Sequence, residues 1–242
     1  MSGRALALTL ALAFGSFGVG AARAAARAAP ASLAPATILE RYELALAELR
    51  EPPAVAFEYG VEQLGPQDIV QTHRIFRSGR EERDETLSVD GNKLPRPSVR
   101  ILRDRADRYA IARLAPRTGD YAFRYLGIAR SGGATGYAFA TEPFAAHRYL
   151  VREVVLDAKR FLPRLIRFRL DSGALLASGE LLYAGAGPYW MPQSANVHAR
   201  LADGTPAHEH IAWSGYQFPA SLPQSTFEAP HRAPPAPAVF PD

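Results

Sequence analysis

The chain has 242 residues, a formal net charge of +4 and no cysteine. Without cysteine it can form no disulfide and no thiolate metal site, and it lacks the residue that an exported lipoprotein would acylate. Cations and acids are interleaved, as in Arg80-Glu81-Glu82-Arg83-Asp84; such mixing describes a solvated face and speaks against a nucleic-acid partner.

Arg4 opens the chain and is followed by a small, apolar run from Ala5 to Ala22. Ala22-Arg23-Ala24 and Ala26-Arg27-Ala28 then offer the small-x-small pattern of a signal peptidase site. Residues 1–28 are therefore expected to be a cleavable signal peptide, and the mature product a soluble periplasmic protein. The apolar run is about 18 residues, short for a membrane span of ~20. Gly15 to Gly20 looks like a phosphate-loop fragment but lies inside this leader, with no strand before it. Arg4, Arg23 and Arg27 leave with the signal and no acid does, so the net charge falls to +1.

After an Ala- and Pro-rich arm at 29–36, Ile38, Leu39, Tyr42, Ala45, Leu46 and Leu49 recur at steps of three and four, which predicts a helix over 37–50. Thr37 and Glu40 have the spacing of a capping box, and Pro52-Pro53 stops the element. From Val55 the period falls to two, with Val55, Phe57, Tyr59 and Val61 on one face. Further strands are expected at Ile69–Arg77, Glu85–Val89, Val99–Leu102, Tyr109–Leu114, Tyr121–Ile128 and Tyr137–Thr141. A helical turn around Pro143–His147 follows. Then come Tyr149–Asp157, Leu165–Leu170, Ser178–Ala184, Tyr189–Leu201, Glu209–Tyr216 and a closing Leu222–Phe227. Asp90-Gly91-Asn92 and Asp171-Ser172-Gly173 mark hairpin turns. Residues 228–242 read as a disordered Pro-rich tail.

About ten consecutive strands joined by short turns imply antiparallel neighbours, and a sheet that wide must curl. The expected architecture is mainly β: a strongly curved antiparallel sheet, or unclosed barrel, spanning 29–227. The N-terminal helix would lie as a lid over its apolar concave face.

Enzyme motifs are missing: there is no nucleophile elbow, no HExxH and no Walker loop. His208 and His210 alternate on a strand near His198, a geometry open to zinc but more simply two exposed histidines beside a turn. Glu153, Asp157 and Glu180 are acids by type alone. Arg160, Arg164, Arg167 and Arg169 could meet an anion, although a wet outer face opposite Phe168 is the simpler reading. The aromatic stripes carry more. Phe57, Tyr59, Tyr121, Phe123, Tyr125, Tyr137, Phe139, Ile166, Phe168 and Trp213 sit at alternating strand positions. One helix is little cover for so wide an apolar face, which points to a cavity lined by these ten residues. Burial at ~0.8 kcal/mol per methylene would give a long acyl chain on the order of 10 kcal/mol gross.

Val155-Leu156-Asp157 leading into Phe161-Leu162-Pro163-Arg164-Leu165-Ile166-Arg167-Phe168 resembles the lipoprotein-carrier (LolA-like) superfamily. So do Tyr189-Trp190-Met191-Pro192 and Glu209-His210-Ile211-Ala212-Trp213. The resemblance spans about 37–227 and is specific from about 149 onward. It implies an unclosed antiparallel barrel with a helical lid over a hydrophobic cavity. It also implies a non-enzymatic, cofactor-free periplasmic monomer that carries lipid or acylated lipoprotein between membrane proteins. The alternative, also present in that family, is an envelope-stress sensor or scaffold that docks an inner- or outer-membrane protein.

Overall fold

In a computed structural model, residues 33–65, 68–104, 109–146, 148–171 and 175–228 are described. The expected signal peptide at 1–28 and, past Glu228, the Pro-rich tail lie outside them. So do His147 and Ser172-Gly173. Helix α1 (Pro35–Ala47) precedes β1 (Ala54–Leu64), β2 (Ile69–Ser78), β3 (Glu81–Val89) and β4 (Asn92–Leu102). A short helix α2 (Ile111–Leu114) leads to β5 (Tyr121–Ser131), β6 (Ala134–Pro143), β7 (Tyr149–Asp157) and β8 (Pro163–Asp171). Then follow β9 (Leu175–Ala186), β10 (Tyr189–Leu201), β11 (Pro206–Gln217) and a 3-10 turn at Gln224–Phe227.

All eleven strands form one antiparallel sheet in the order β4-β3-β2-β1-β11-β10-β9-β8-β7-β6-β5. Each pair of neighbours is consecutive in the chain except β1 and β11, which join two meanders through pairs such as Tyr59–Trp213 and Val61–Ile211. Because β4 and β5 are the free edges, the barrel is unclosed. The connection between them must pass from one edge of the sheet to the other. Its described part lies on the inner, apolar face: Ile111 and Ala115 join the main core, beside Ile38, Tyr42 and Leu46 of α1. The Tyr42 hydroxyl donates to the carbonyl of Pro116, pinning helix to connection. Burial, then the Glu43 carboxylate, raises the Tyr42 pKa well above the ordinary phenol value, while Arg117 pulls weakly the other way.

Five sequence expectations are corrected. The helix starts at Pro35, not Thr37, with Ala34 as N-cap and no side-chain cap, and it ends at Ala47. Proline's fixed φ suits the first turn, so Thr37 and Glu40 fall inside the helix rather than capping it. Tyr109–Leu114 is no strand; its last four residues are α2, because this segment crosses the sheet instead of joining it. The closing strand expected at Leu222–Phe227 is absent; Gln224–Phe227 is a 3-10 turn held by a side chain, with Arg83 Nη1 donating to the Thr226 carbonyl at 3.1 Å and Phe227 buried. Residues 144–146 form no helical turn. The strand expected at Val99 begins at Asn92, across Pro95 and Pro97, because an edge strand tolerates residues that cannot donate.

The stretch that carries the family resemblance folds into the β7–β8 turn. Asp157 Oδ1 accepts the amides of Lys159 and Arg160 at 2.9 and 2.8 Å, and Oδ2 lies 3.2 Å from Arg164 Nη2. Phe161, at φ +56°, stacks on Tyr137, and the guanidinium of Arg41 in α1 lies over its ring, 5.2 Å from the centroid. Trp190 Nε1 donates to the Pro163 carbonyl at 2.7 Å. The motif is thus a clasp between helix and sheet.

Candidate ligand cavities

Ten positions are expected to line a cavity, and all ten lie in or against one core cluster on the inner face. Phe139 and Ile166 are fully buried. Phe123 packs on Tyr42 of α1 and on Phe139, and Tyr125 also packs on Phe139. Tyr121 accepts the Val151 amide at 3.4 Å, and Tyr137 stacks on Phe161. Phe57 meets Tyr216, Tyr59 stacks on His73 at 4.7 Å, and Trp213 meets Tyr109. Only Phe168 of the ten lines either of the two cavities described next.

The first is an apolar cavity of about 350 Å³ beside the inner face of β7 to β11. Leu170, Ala177, Leu181, Val197 and Ala199 form its floor, and Tyr109 and Leu114 of the crossing connection form its cover. Phe168 stands in its wall against Tyr149, with ring centroids 5.2 Å apart. Phe168 needs a partner without a side chain: Gly179 faces it across β8 and β9, and a Cβ there would come within 3.0 Å of the ring and collide with the Asn196 carbonyl. The Tyr149 hydroxyl is buried at this cavity with no hydrogen-bond partner among the described residues. Burial, and then neighbouring Tyr121, push its pKa well above the ordinary phenol value, so it is a neutral donor. Such an orphaned hydroxyl is costly unless a ligand completes it. At the rim, His208 Nε2 lies 3.0 Å from Asn196 Oδ1 and its ring stacks on His198 at 4.5 Å. Among the described residues no group of three or more His, Asp or Glu could hold a metal.

The second cavity, about 410 Å³, opens where α1 hands over to β1. Val55, Ile111, Trp190 and Met191 give it an apolar floor, and Arg50, Arg77, Arg80 and Arg113 surround it. Arg77 is held by Glu82, which accepts its Nε and Nη2 at 3.0 and 2.7 Å. Tyr109 lines both cavities and is their shared wall. Its carbonyl accepts the Tyr183 hydroxyl at 3.0 Å.

Sequence reasoning missed Tyr149, Tyr109 and the arginine ring. The alternation of β7 did place Tyr149 on a strand. Nothing in it showed that Tyr109 belongs to a crossing segment or that four distant arginines converge. Of the basic cluster at 160–169, Arg160, Arg167 and Arg169 are exposed, and Arg167 reaches Glu153 at 2.9 Å and Glu180 at 3.5 Å; Arg164 departs from the expected wet face, being largely buried against Asp157 and Trp190.

Comparison with protein-family models and with curated proteins gives no match. Among solved structures, the chain is similar to a LolA superfamily protein from Nitrosomonas europaea at 13% identity, covering 82% of this chain and 99% of that one, TM-score 0.42. It is also similar to a putative outer membrane lipoprotein-sorting protein domain from Vibrio parahaemolyticus at 13% identity, covering 78% and 95%, TM-score 0.41. A DUF1329 family protein from Desulfovibrio piger follows at 10% identity, covering 79% and 97%, TM-score 0.42. These likenesses concern the fold. No helix among the described residues is long and apolar enough to cross a membrane.

Proposed function

We propose that this protein is exported by a signal peptide at 1–28 and works in the periplasm, where it shelters the acyl chain of a lipid or lipoprotein. The observation that carries this reading is the 350 Å³ cavity on the inner face, with its apolar floor and a single orphaned hydroxyl. Its size falls in the range of small-molecule sites, and an apolar lining with few polar groups is what such sites share. Each methylene moved into it from water gains ~0.8 kcal/mol, so a chain binds without any reactive side chain. Phe168 is the cavity-lining residue among the ten expected positions; the other nine support the wall from the core.

Native mass spectrometry of the protein purified from an envelope fraction, followed by organic extraction, tests this. A discrete added mass that extracts as lipid or acylated peptide supports the reading. A protein that stays free of ligand after incubation with fatty acids and phospholipids refutes it.

A second reading, docking of a membrane-protein partner, draws on a different feature. Edge strand β5 exposes Leu126 and Ile128 at 46% and 49% and has one unpaired side. An open apolar edge is a template for an added strand, whereas edge β4 is blunted by Pro95, Pro97, Lys93 and Arg96. Photocrosslinking from position 126 in living cells would find a membrane-protein partner if this reading holds, and no specific adduct if it fails.

A further inference from the structure

We propose that the arginine-ringed cavity binds the anionic end of a single-chain amphiphile, so that the cargo is a free fatty acid or a lysophospholipid bearing an exposed phosphate. This inference rests on the acyl-chain reading above and adds the headgroup class to it.

Four arginines from four separate segments converge on one cavity: Arg50 from the α1–β1 connection, Arg77 from β2, Arg80 from the β2–β3 turn and Arg113 from α2. Arg77 is committed to the buried carboxylate of Glu82 and packs over Phe57, so it shapes the wall. Arg80 meets Asp104 at 3.4 Å, but both side chains are about three-quarters or more exposed, and such a pair yields readily to another anion. Arg50 is exposed and has no ion pair among the described residues. Among the described lining residues, Glu51 is the one carboxylate beside these four arginines. Planar guanidinium forks bind carboxylate and phosphate in paired hydrogen bonds. Directly beneath them the floor is apolar, through Val55, Ile111, Trp190 and Met191. A charged rim above an apolar floor suits a molecule that is ionic at one end and aliphatic along the rest. The chain would run inward toward Tyr109, the wall shared with the apolar cavity of about 350 Å³.

The test compares three probes with the same sixteen-carbon chain: palmitate, palmitoyl lysophosphatidate and neutral monopalmitoylglycerol. Affinities are measured by calorimetry on the delipidated protein and on the double variant Arg50→Ala/Arg80→Ala. Both side chains are exposed, so the variant should fold, and a thermal melt checks that it does. The anionic probes should bind the unmodified protein about tenfold or more tighter than the neutral one. The double variant should lose that preference while its affinity for monopalmitoylglycerol stays the same. The anion with the larger loss identifies carboxylate or phosphate as the preferred end. Equal binding of neutral and anionic probes overturns the proposal but leaves the acyl-chain reading standing, as does a double variant that keeps the preference. Failure of all three probes to bind overturns both.

Discussion

The ring of Tyr109 meets that of Trp213 edge-on, with centroids 4.8 Å apart and planes at 67°. This contact anchors the segment that crosses the sheet, and with it the partition between the two cavities. Replacing Tyr109 with Ala should join two spaces of about 350 and 410 Å³. The expected outcome is a shift of preference toward longer acyl chains, at a stability cost of about 2 kcal/mol for the lost half-buried ring. A series of fatty acids of increasing length, measured by displacement of a fluorescent probe, checks it. An unchanged length preference would show that Tyr109 does not set it.

Tyr149→Phe removes a buried hydroxyl that has no partner. Because an unsatisfied polar atom is costly, the ligand-free variant should be more stable by up to about 1 kcal/mol. Urea denaturation of the delipidated protein reads this as a higher midpoint with an unchanged slope. A lower midpoint would mean that the hydroxyl is satisfied in solution.

Gly179→Ala should destabilise by about 2 kcal/mol or more, because the new methyl group has to displace both the Asn196 carbonyl and the Phe168 ring. Moving Phe168 also disturbs the apolar cavity, so acyl-chain affinity should fall together with the melting temperature. A companion Gly60→Ala, where a Cβ meets open space, controls for the general cost of substituting a strand glycine.

Asp84 is buried, with His73 Nδ1 at 2.7 Å and Arg100 Nη2 at 2.8 Å. Burial by itself would raise its pKa, but the hydrogen bonds and charges of His73 and Arg100 outweigh it and hold the carboxyl below its ordinary value. Depressed in the folded state, the group contributes its stability fully above the ordinary Asp value of about 3.9 and loses it as pH falls through the folded value. Asp84→Ala should therefore cost about 2 kcal/mol at neutral pH, since it leaves the buried His73 ring without its partner while the exposed Arg100 returns to water. That cost should shrink in acid, which denaturation midpoints from pH 7 down to pH 3 would show. A pH-independent cost would assign the effect to packing alone.

The order of elements was legible because burial on one face writes itself into the sequence. Ile38, Tyr42 and Leu46 carry the helical step and are all buried. Tyr121, Phe123 and Tyr125 carry the strand alternation, and that alternation is why nearly every hairpin was placed. Segments whose partners are not their neighbours gave no such trace. Tyr109–Leu114 is apolar because it packs on the inner face without pairing, and Leu222–Phe227 is held by Arg83 rather than by a ladder. The cavities were illegible for a related reason. Whether an inward aromatic packs or lines a space depends on what crosses above it, and here Tyr109, Ile111, Leu114 and Ala115 of the connection between opposite edges pack on the inner face beside the helix.

The pairing of β1 with β11 has a consequence for how the chain becomes a protein. The first strand to be made keeps one side empty until the last strand arrives, so the final join is between the most distant partners and should be the slow step of folding. Deleting β11 would not trim a margin. It would split the sheet into two hairpin ladders, β4 to β1 and β10 to β5, with α1 still packed on Phe123 and Phe161 of the second. Until β11 is made, the two ladders cannot become one sheet.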